Sequence, residues 1–261
     1  AECGHPSGRR TLPSMNSNHR PHRLHGKSVL ITGASSGIGK TVAQQLIDCG
    51  AEVYAMGRDA AALEQLAGQG CKPLRVEMSD QAQLAAVLAD LPVMNGAVNC
   101  AGISILEAAT DISAAAFDQV MTVNVRAAAM VAASAAKAMI EAGVAGSIVN
   151  VSSQASLVAL DDHLSYCASK GAMDAMTRVQ CGEWGRHGIR VNSVNPTVTL
   201  TPMAQMAWSE PSKRDPALAA IPLGRFAETA EVAAPILFLL SSAASMISGV
   251  SLPIDGGYTS R

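Results

Sequence analysis

The sequence predicts one α/β domain, a doubly wound parallel sheet with helices on both faces. Strand patterns alternate with helix-period segments from Ser28 to the end of the 261-residue chain, without an internal repeat or a linker. A glycine-rich turn at 32–39 separates the first strand from the first helix. Although 49% of the residues are apolar, only 3% are aromatic, so the predicted core is aliphatic.

Residues 1–26 differ from the rest of the chain. They hold four of the six histidines and three prolines, and they lack apolar periodicity. We expect a flexible N-terminal tail, partly a cloning leader, with Met15 as a plausible native start and a single folded domain over 27–261. A metal site formed by His19, His22 and His25 is the less favoured alternative, so no metal is expected.

The glycine-rich turn has the layout of a strand, a tight turn and a helix. An apolar run over 28–31 leads into it, and an apolar-periodic segment over 38–49 leads out of it and stops at Gly50. Glycines permit the sharp turn and let backbone approach a pyrophosphate, while the helix N-terminus offers N–H groups to phosphates. The turn therefore predicts a Rossmann-type dinucleotide site rather than a plain connection, with contacts from Gly33, Ser35, Ser36, Gly37, Ile38 and Gly39.

The second strand, predicted over 51–56, ends at Gly57 and Arg58. In a dinucleotide fold this position lies beside the adenosine ribose, where an acidic side chain would favour NAD. A guanidinium can pair with a 2′-phosphate instead, so the sequence favours NADP. Asp59 follows directly, which keeps NAD open, and Arg58 as a solvated turn residue is the other interpretation.

The middle of the chain continues the alternation of strands and helices. We predict a helix over 60–67, a strand over 74–77, a helix over 81–89, a strand over 96–99 and a long helix over 113–142. The fourth strand ends in a second small-residue turn, 99–102, at the sheet edge where ligands bind. Asn124 lies in the apolar face of the long helix, where a buried amide must find partners, so it is either a satisfied core amide or functional.

In the second half of the chain, each predicted strand ends in polar or small residues. The fifth strand stops at Ser152 and Ser153, and the helix after it carries Tyr166 and Lys170, which share one face because they are four residues apart. Residues 197–226 lack clear periodicity, so we expect a mobile lid with short helices. The remaining predicted elements are strands over 146–151, 189–194 and 250–254 and a helix over 228–241.

Together these motifs resemble the short-chain dehydrogenase/reductase family over about residues 27–257. The motifs are TGASSGIG at 32–39, NCAG at 99–102, Asn124, Ser153 and Tyr166-x-x-x-Lys170. The resemblance implies an NAD(P)-dependent oxidoreductase in which Tyr166 is the acid/base and Lys170 binds the nicotinamide ribose. It also implies that Ser153 hydrogen-bonds the substrate oxygen and that Asn124 anchors a water relay. Carbonyl reduction needs such a proton donor and a group that holds the developing alkoxide, and a nearby ammonium favours the tyrosinate.

The resemblance implies further cofactor contacts along the chain. They come from Glu77, Met78, Asn99, Ala101, Gly102, Tyr166, Lys170, Pro196, Val198, Thr199 and Thr201. The sequence departs from the common family pattern at three positions, where Cys100 replaces an asparagine, Glu77 an aspartate and Thr197 a glycine. Cys100 should do little harm because a small side chain suffices there, whereas the adenine contact expected of the aspartate loses support at Glu77.

A narrower resemblance, to dicarbonyl/L-xylulose reductases and related tetrameric carbonyl reductases, rests on the second half of the chain. It is carried by NVSSQ at 150–154, HLSYC at 163–167, NPTV at 195–198, AWSEP at 207–211 and IPLG at 221–224. It implies that Gln154, His163 and Trp208 line the substrate pocket with Ser153 and Tyr166. The alternatives are that His163 is a helix-start or surface residue and that Trp208 only seals the lid. The resemblance also implies a homotetramer, with helices 113–142 and 165–186 at the interfaces.

The function predicted from these residues is the reduction of a small carbonyl compound with NADP(H). Ketoses and α-dicarbonyls are the first choices, with polyol oxidation as the reverse reaction. The alternatives are an NAD-linked polyol dehydrogenase, a 3-oxoacyl thioester reductase, and an NADP-binding sensor or scaffold without catalysis.

Composition limits the partners and the location. A net charge of −2 gives no basis for nucleic-acid binding. No apolar run in the sequence approaches the ~20 residues of a membrane span, so no membrane partner is expected. The six cysteines have no CxxC spacing and predict free thiols in a reducing compartment, hence a cytoplasmic protein.

Overall fold

The computed structural model describes residues 24–260. The predicted tail therefore lies outside the described residues except for its last three. Leu24 is buried in the core, and the N–H of Gly26 donates to the carbonyl of Gly50. These residues belong to the folded domain, whose described part begins before the predicted boundary at residue 27.

Seven parallel strands form one sheet in the order β3-β2-β1-β4-β5-β6-β7. Chain order reverses beside β1, because β2 pairs with one edge of β1 and β4 with the other. The predicted doubly wound α/β architecture is confirmed. The strands are β1 (Ser28–Thr32), β2 (Glu52–Gly57), β3 (Lys72–Arg75), β4 (Gly96–Asn99), β5 (Gly146–Val151), β6 (Ile189–Pro196) and β7 (Ser251–Ile254).

Helices cover both faces of the sheet, and the core alternates residue by residue along β1. Val29 and Ile31 lie in the apolar cluster with α1 and α9, while Leu30 lies in the cluster on the other face with α3 and α5. This period of two buries both faces of a parallel sheet. The helices are α1 (Gly37–Asp48), α2 (Ala60–Ala67), α3 (Gln81–Ala89), α4 (Ala114–Met121), α5 (Ala128–Ala142), α6 (Leu164–Trp184), α7 (Pro202–Ala207), α8 (Pro211–Ala220) and α9 (Thr229–Leu240).

The third strand lies two residues earlier than the predicted range of 74–77. It pairs only with β2 and is the edge of the sheet, so it tolerates Pro73 and carries mostly exposed side chains. The buried apolar residues Val76 and Met78 follow the strand instead of forming it. The apolar pattern used to predict this strand therefore belongs partly to the segment that connects β3 to α3.

The long helix predicted over 113–142 is present but not regular. A π-helical segment, Thr122–Ala127, joins α4 to α5 and contains Asn124. The resulting helix, Ala114–Ala142, is long and apolar enough to cross a membrane by length and composition, which corrects the statement that no segment approaches a membrane span. Half of its most apolar stretch is buried, and Val131, Ala132 and Met139 pack in the core, as in a helix that covers a sheet.

The lid segment contains the two short helices α7 and α8, as predicted, and joins α9 through an ion pair. The Arg225 guanidinium donates two hydrogen bonds to Glu231, of 2.7 and 2.6 Å, and the N–H of Glu228 also donates to this carboxylate. These contacts, with the Arg225 hydrogen bond as the largest cause, lower the pKa of Glu231 from 4.5 to about 2.

We expect this pair to make stability depend on pH. Because the folded-state pKa of Glu231 is depressed, its stabilising contribution is fully present above about pH 4.5 and is lost as the pH falls towards 2. Glu231→Gln should therefore melt below the wild type at pH 6, with a difference that shrinks as the pH approaches 3. Thermal melts of the two proteins across this range measure it. Arg225→Gln removes the same pair and should show the same trend, and a difference independent of pH would contradict the interpretation.

Candidate active site

A cavity of about 960 Å³ opens at the carboxyl ends of the strands, beside the point where chain order reverses. Its wall includes the glycine-rich turn, the ends of β2, β5 and β6, the start of α6 and the lid. Of the residues predicted to bind cofactor, all but Asn99 line it. The predicted substrate residues Gln154, His163, Tyr166 and Trp208 line it as well, whereas Ser153 and Asn124 lie just behind it.

The glycine-rich turn has the geometry that lets its backbone closely approach a phosphate group. Gly33 has φ +67°, and a Cβ there would lie 2.8 Å from the backbone of Ala101, so only glycine fits. Ser36 begins α1 without a capping hydrogen bond from its side chain, and the helix N-terminus faces the cavity. The N–H groups and the positive dipole end of α1 are thus directed at the site where a pyrophosphate would lie.

Arg58 lies at the far end of the cavity, beyond the end of β2. Its side chain is 68% exposed, and its guanidinium lies 3.4 Å from the Glu77 carboxylate, a distance too long for a strong ion pair. Partial burial raises the pKa of Glu77, but the N–H and O–H of Ser79 and the charge of Arg58 more than offset this and hold it below its ordinary value. The Ser35 hydroxyl is close by, 3.0 Å from where a Cβ on Gly57 would lie. A cation and a hydroxyl therefore share this end of the site.

The side chain of Asn99 does not line the cavity, so its predicted contact with the cofactor gains no support from the side chain and stays a prediction. It is almost fully buried and donates to the carbonyl of Ala128 and to the Asn150 side chain, at 3.2 and 2.8 Å. The turn after β4 is instead held by the Thr32 hydroxyl, which accepts from the N–H groups of Cys100 and Ala101. Asn99 supports this turn from behind, and the turn supplies backbone to the cavity wall.

Cys100, which stands where the family commonly has asparagine, is a half-buried free thiol in the cavity wall. Burial raises its pKa to about 11, although the charge of Lys170 and the N–H of Gly39 oppose this. The thiol is therefore neutral at physiological pH and contributes a small apolar surface to the wall.

Asn124 is fully buried and its amide clamps the loop after β4. Its Nδ2 donates to the carbonyl of Ile103 and to the Ser169 hydroxyl, and its Oδ1 accepts from the N–H of Ile103. A Cβ on Gly102 would lie 3.3 Å from Asn124 Oδ1 and 3.5 Å from Lys170 Nζ, so the glycine leaves a gap between the two groups. The side chain acts as a structural clamp, and the relay role stays a prediction that would use this gap.

Tyr166 and Lys170 lie together on α6, one helical turn apart. Lys170 Nζ is 5.5 Å from the centre of the Tyr166 ring and donates to the carbonyl of Val151 at 2.8 Å. The lysine is 96% buried, since its exposed fraction is 4%, and it forms no ion pair within residues 24–260. An ammonium has three N–H donors, so this cation has donors left for groups in the cavity.

Ser153 and Gln154 follow β5. The Ser153 hydroxyl accepts from the N–H of Ala155, which leaves its own O–H free to donate. The Gln154 amide is 95% buried in the cavity wall, where its Oε1 has no hydrogen-bond partner, and no described group bonds its Nε2. Because the terminal amide torsion is soft, either end of this amide can turn towards the cavity.

His163 directly precedes α6 and lies edge-to-face with Tyr166, with ring centres 6.1 Å apart. Its Nδ1 lies 2.6 Å from the carbonyl of Asp161. A carbonyl only accepts, so Nδ1 carries the proton and, in the neutral ring, Nε2 is an acceptor. The geometry favours the pocket assignment over the helix cap, because His163 makes no capping hydrogen bond.

The lid and the C-terminus close the remaining walls. Trp208 packs against Phe226 with ring centres 5.5 Å apart, so it both seals the lid and faces the cavity. Sequence reasoning missed Tyr258, which reaches the wall because Asp255 accepts hydrogen bonds from Gly257 and Thr259 and fixes the turn between them. It also missed Asp161 and Phe226, which no local pattern distinguishes, and Ile221, which lies in the IPLG segment but had no predicted role.

Comparison with known proteins identifies the family. A short-chain dehydrogenase model described as enoyl-(acyl carrier protein) reductase matches residues 33–259. The chain belongs to the short-chain dehydrogenase/reductase family. This short-chain dehydrogenase/reductase is therefore an oxidoreductase, as the sequence predicted.

Among the proteins that it resembles are two that are named for a sugar or a polyol substrate. It is 42% identical to an L-xylulose reductase from Bos taurus, over 90% of this chain and 98% of that one. It is 40% identical to a D-threitol dehydrogenase from Mycolicibacterium smegmatis, over 91% and 94% of the two chains. A solved structure of a candidate 2-deoxy-D-gluconate 3-dehydrogenase from Agrobacterium tumefaciens, with bound NADP, is 32% identical with a TM-score of 0.85, and the match covers 93% of this chain and all of that one.

Proposed function

We propose that this protein reduces small hydroxylated ketones, such as short ketoses, and α-dicarbonyls with NADPH, and oxidises the matching polyols in reverse. The observation that carries this proposal is the Gln154 amide, buried in the cavity wall without a protein partner and close in sequence to Ser153. Together with Nε2 of His163 it offers hydrogen bonds that a plain ketone would leave unused. The names of the relatives, an L-xylulose reductase and a D-threitol dehydrogenase, support the same substrate class.

In this proposal the chain's residues manage the oxygen and the proton. Ser153 donates a hydrogen bond to the carbonyl oxygen, and Tyr166 transfers its hydroxyl proton to the alkoxide that develops there. Lys170 lies one helical turn away, where its ammonium stabilises the resulting tyrosinate. Its remaining N–H donors would hold the nicotinamide ribose. NADPH, when bound along the glycine-rich turn and Lys170, would supply the hydride that converts the C=O group to an alcohol.

The preference for NADP rests on Arg58. An exposed guanidinium held only loosely by Glu77 is available to pair with a 2′-phosphate, and the Ser35 hydroxyl lies at the same end of the cavity. The solved relative with bound NADP supports this choice.

The test is a comparison of substrates with the purified protein. NADPH consumption should be fast with L-xylulose and diacetyl and slow with acetoacetyl-CoA, and NADPH should be preferred to NADH. Preferential turnover of the thioester would replace the proposal with a 3-oxoacyl reductase. Faster oxidation of threitol with NAD would replace it with an NAD-linked polyol dehydrogenase, and binding of NADPH without any turnover would indicate a sensor.

We expect Gln154→Leu to raise KM for a ketose about tenfold, because one hydrogen bond to a substrate hydroxyl is lost. The Kd of NADPH should stay within about twofold, since the amide serves the substrate. Steady-state kinetics and a fluorescence titration measure the two constants. Gln180→Leu is the matched control, because Gln180 is also a buried glutamine with an unpartnered Oε1 but lies outside the cavity wall. An unchanged KM in Gln154→Leu would remove the glutamine from the substrate site.

We further propose that the protein is a homotetramer located in the cytoplasm. Predicted interface helices α5 and α6 each expose a large apolar side chain, Met130 at 46% and Val179 at 59%, which association would cover. The described cysteines are free thiols, which fits a reducing compartment. A monomer by light scattering at micromolar concentration would contradict the tetramer, and recovery in a secreted fraction would contradict the location.

A further inference from the structure

A buried polar cluster lies behind the candidate active site and plays no part in the chemistry proposed above. We call it the Asp174 cluster, and it consists of Asp174 on α6, Ser193 and Asn195 on β6, and Ser156 after β5. Asp174, Ser193 and Asn195 are almost completely buried. The cluster therefore joins the three elements that carry Ser153, Tyr166 and the predicted nicotinamide contacts.

The Asn195 amide is the centre of the cluster. Its Nδ2 lies 2.8 Å from Asp174 Oδ2, 2.7 Å from the Ser156 hydroxyl oxygen and 3.2 Å from the carbonyl oxygen of Ser153. The Ser156 hydroxyl donates to the same Ser153 carbonyl at 2.8 Å. The backbone of Ser153 is thus held from two directions, and both contacts lead back to Asn195.

Asp174 orients this amide. Its Oδ1 accepts from the Ser193 hydroxyl at 2.8 Å, its Oδ2 accepts from Asn195, and it makes no ion pair among the residues that the structure describes. Burying a carboxylate without a cation is costly, and neutral donors return only part of that cost. A carboxylate offers two acceptors and no donor, which is what the Ser193 hydroxyl and the Asn195 amide both require. An amide at position 174 would turn an N–H₂ group towards one of these donors.

We propose that Asp174 is a positioning residue for the catalytic serine. It fixes the Asn195 amide, which holds the Ser153 carbonyl and thereby sets where the Ser153 hydroxyl points. Asp174 lies one helical turn beyond Lys170, so its contacts with Ser193 and Asn195 also fix the position of α6 along β6. This inference rests on the proposed role of Ser153 in carbonyl reduction.

The test is a double-mutant cycle between Asp174→Asn and Ser153→Ala. In the wild-type background, Asp174→Asn should lower kcat about tenfold, because a small displacement of the hydroxyl weakens its bond to the developing alkoxide. In the Ser153→Ala background the same change should lower kcat less than about twofold, since the group it positions is gone. The Kd of NADPH should change less than about twofold in either background, because the Asp174 cluster does not contact the glycine-rich turn at 32–39.

A merely structural role gives a different result. Asp174→Asn would then lower kcat by the same factor in both backgrounds, which overturns the proposal, as does an unchanged kcat in the wild-type background. Asn192→Ala is the control for lost buried hydrogen bonds on β6, since Asn192 bonds Ile247 and Val250 and not Ser153. It should lower the melting temperature without this dependence on Ser153.

A swapped variant keeps the proposal testable when Asp174→Asn folds poorly. Asp174→Asn with Asn195→Asp restores an amide–carboxylate hydrogen bond between the two positions but leaves no N–H for the Ser153 carbonyl. We expect the swap to regain the melting temperature and not kcat, and recovery of both would contradict the proposal. The proposed function is tested separately, because it fails when the wild type reduces no ketose. This inference fails when the wild type reduces ketoses and Ser153→Ala lowers kcat, but Asp174→Asn leaves kcat unchanged.

Discussion

Tyr166→Phe is expected to lower kcat for ketose reduction about 10²- to 10⁴-fold, the range that a positioned proton donor contributes. The change removes only the hydroxyl, and the ring keeps its contacts with His163 and Lys170. The Kd of NADPH should therefore stay within about threefold, because a single neutral hydrogen bond is lost at most. Single-turnover kinetics and a fluorescence titration on the same preparation measure both quantities.

Tyr54→Phe is the matched control for this prediction. Tyr54 also carries a hydroxyl, which bonds Lys72 and Glu52 at the opposite end of the sheet from the cavity. It should cost some stability and leave kcat unchanged. If Tyr166→Phe loses cofactor binding and the native fold together, Tyr166 is a structural residue and the acid/base assignment is wrong.

Arg58→Ala is expected to weaken NADPH binding about 10- to 100-fold, as for the loss of a charge-assisted pair with a phosphate. NADH has no 2′-phosphate, so its Kd should change less than about twofold. The guanidinium is free to make this contact because its only described carboxylate partner, Glu77, lies 3.4 Å away and is itself held by Ser79. Calorimetric titration of the wild type and of Arg58→Ala, each with NADPH and with NADH, measures the four dissociation constants.

Arg75→Ala removes the same charge from the neighbouring strand, outside the cavity wall, and should leave both constants near the wild-type values. The salt dependence gives a further check, since the Arg58 contribution to NADPH binding should shrink as ionic strength rises. Wild-type protein that binds NADH as tightly as NADPH would overturn the role of Arg58. It would also favour an oxidising polyol dehydrogenase that uses the same catalytic residues.

The sequence predicted the parts of the site that depend on spacing along one element. Tyr166 and Lys170 had to be neighbours because helical geometry places residues four apart on one face, and Gly33 had to adjoin backbone because it ends a strand in a tight turn. The position of Asn99 in a small-residue turn indicated the cavity, but side-chain direction at a strand end depends on the neighbouring strand. Its partner Asn150 lies 51 residues away in the chain.

Residues that reach the site through tertiary packing could not be predicted in this way. Tyr258 follows the last strand by four residues and enters the wall only because Asp255 folds the chain back. The Asp174 cluster draws its members from α6, β6 and the turn after β5, and none of them has a local signal that points to the others. The same limit explains the misplaced third strand, whose position at the sheet edge follows from pairing and not from its own apolar pattern.

The π-helical segment sets which face of the helix is directed at the cavity before it and at the sheet after it, so the number of residues within it matters. A wider turn holds one residue more than an α-helical turn, and each residue of an α-helix adds about 100° of rotation. With the extra residue in Thr122–Ala127, Gln119 and Val123 face the cavity while Val131 and Ala135 still face the sheet. Deleting one residue there would turn one of these pairs away by about 100°, whereas a deletion in the loop before α4 would leave the phase intact.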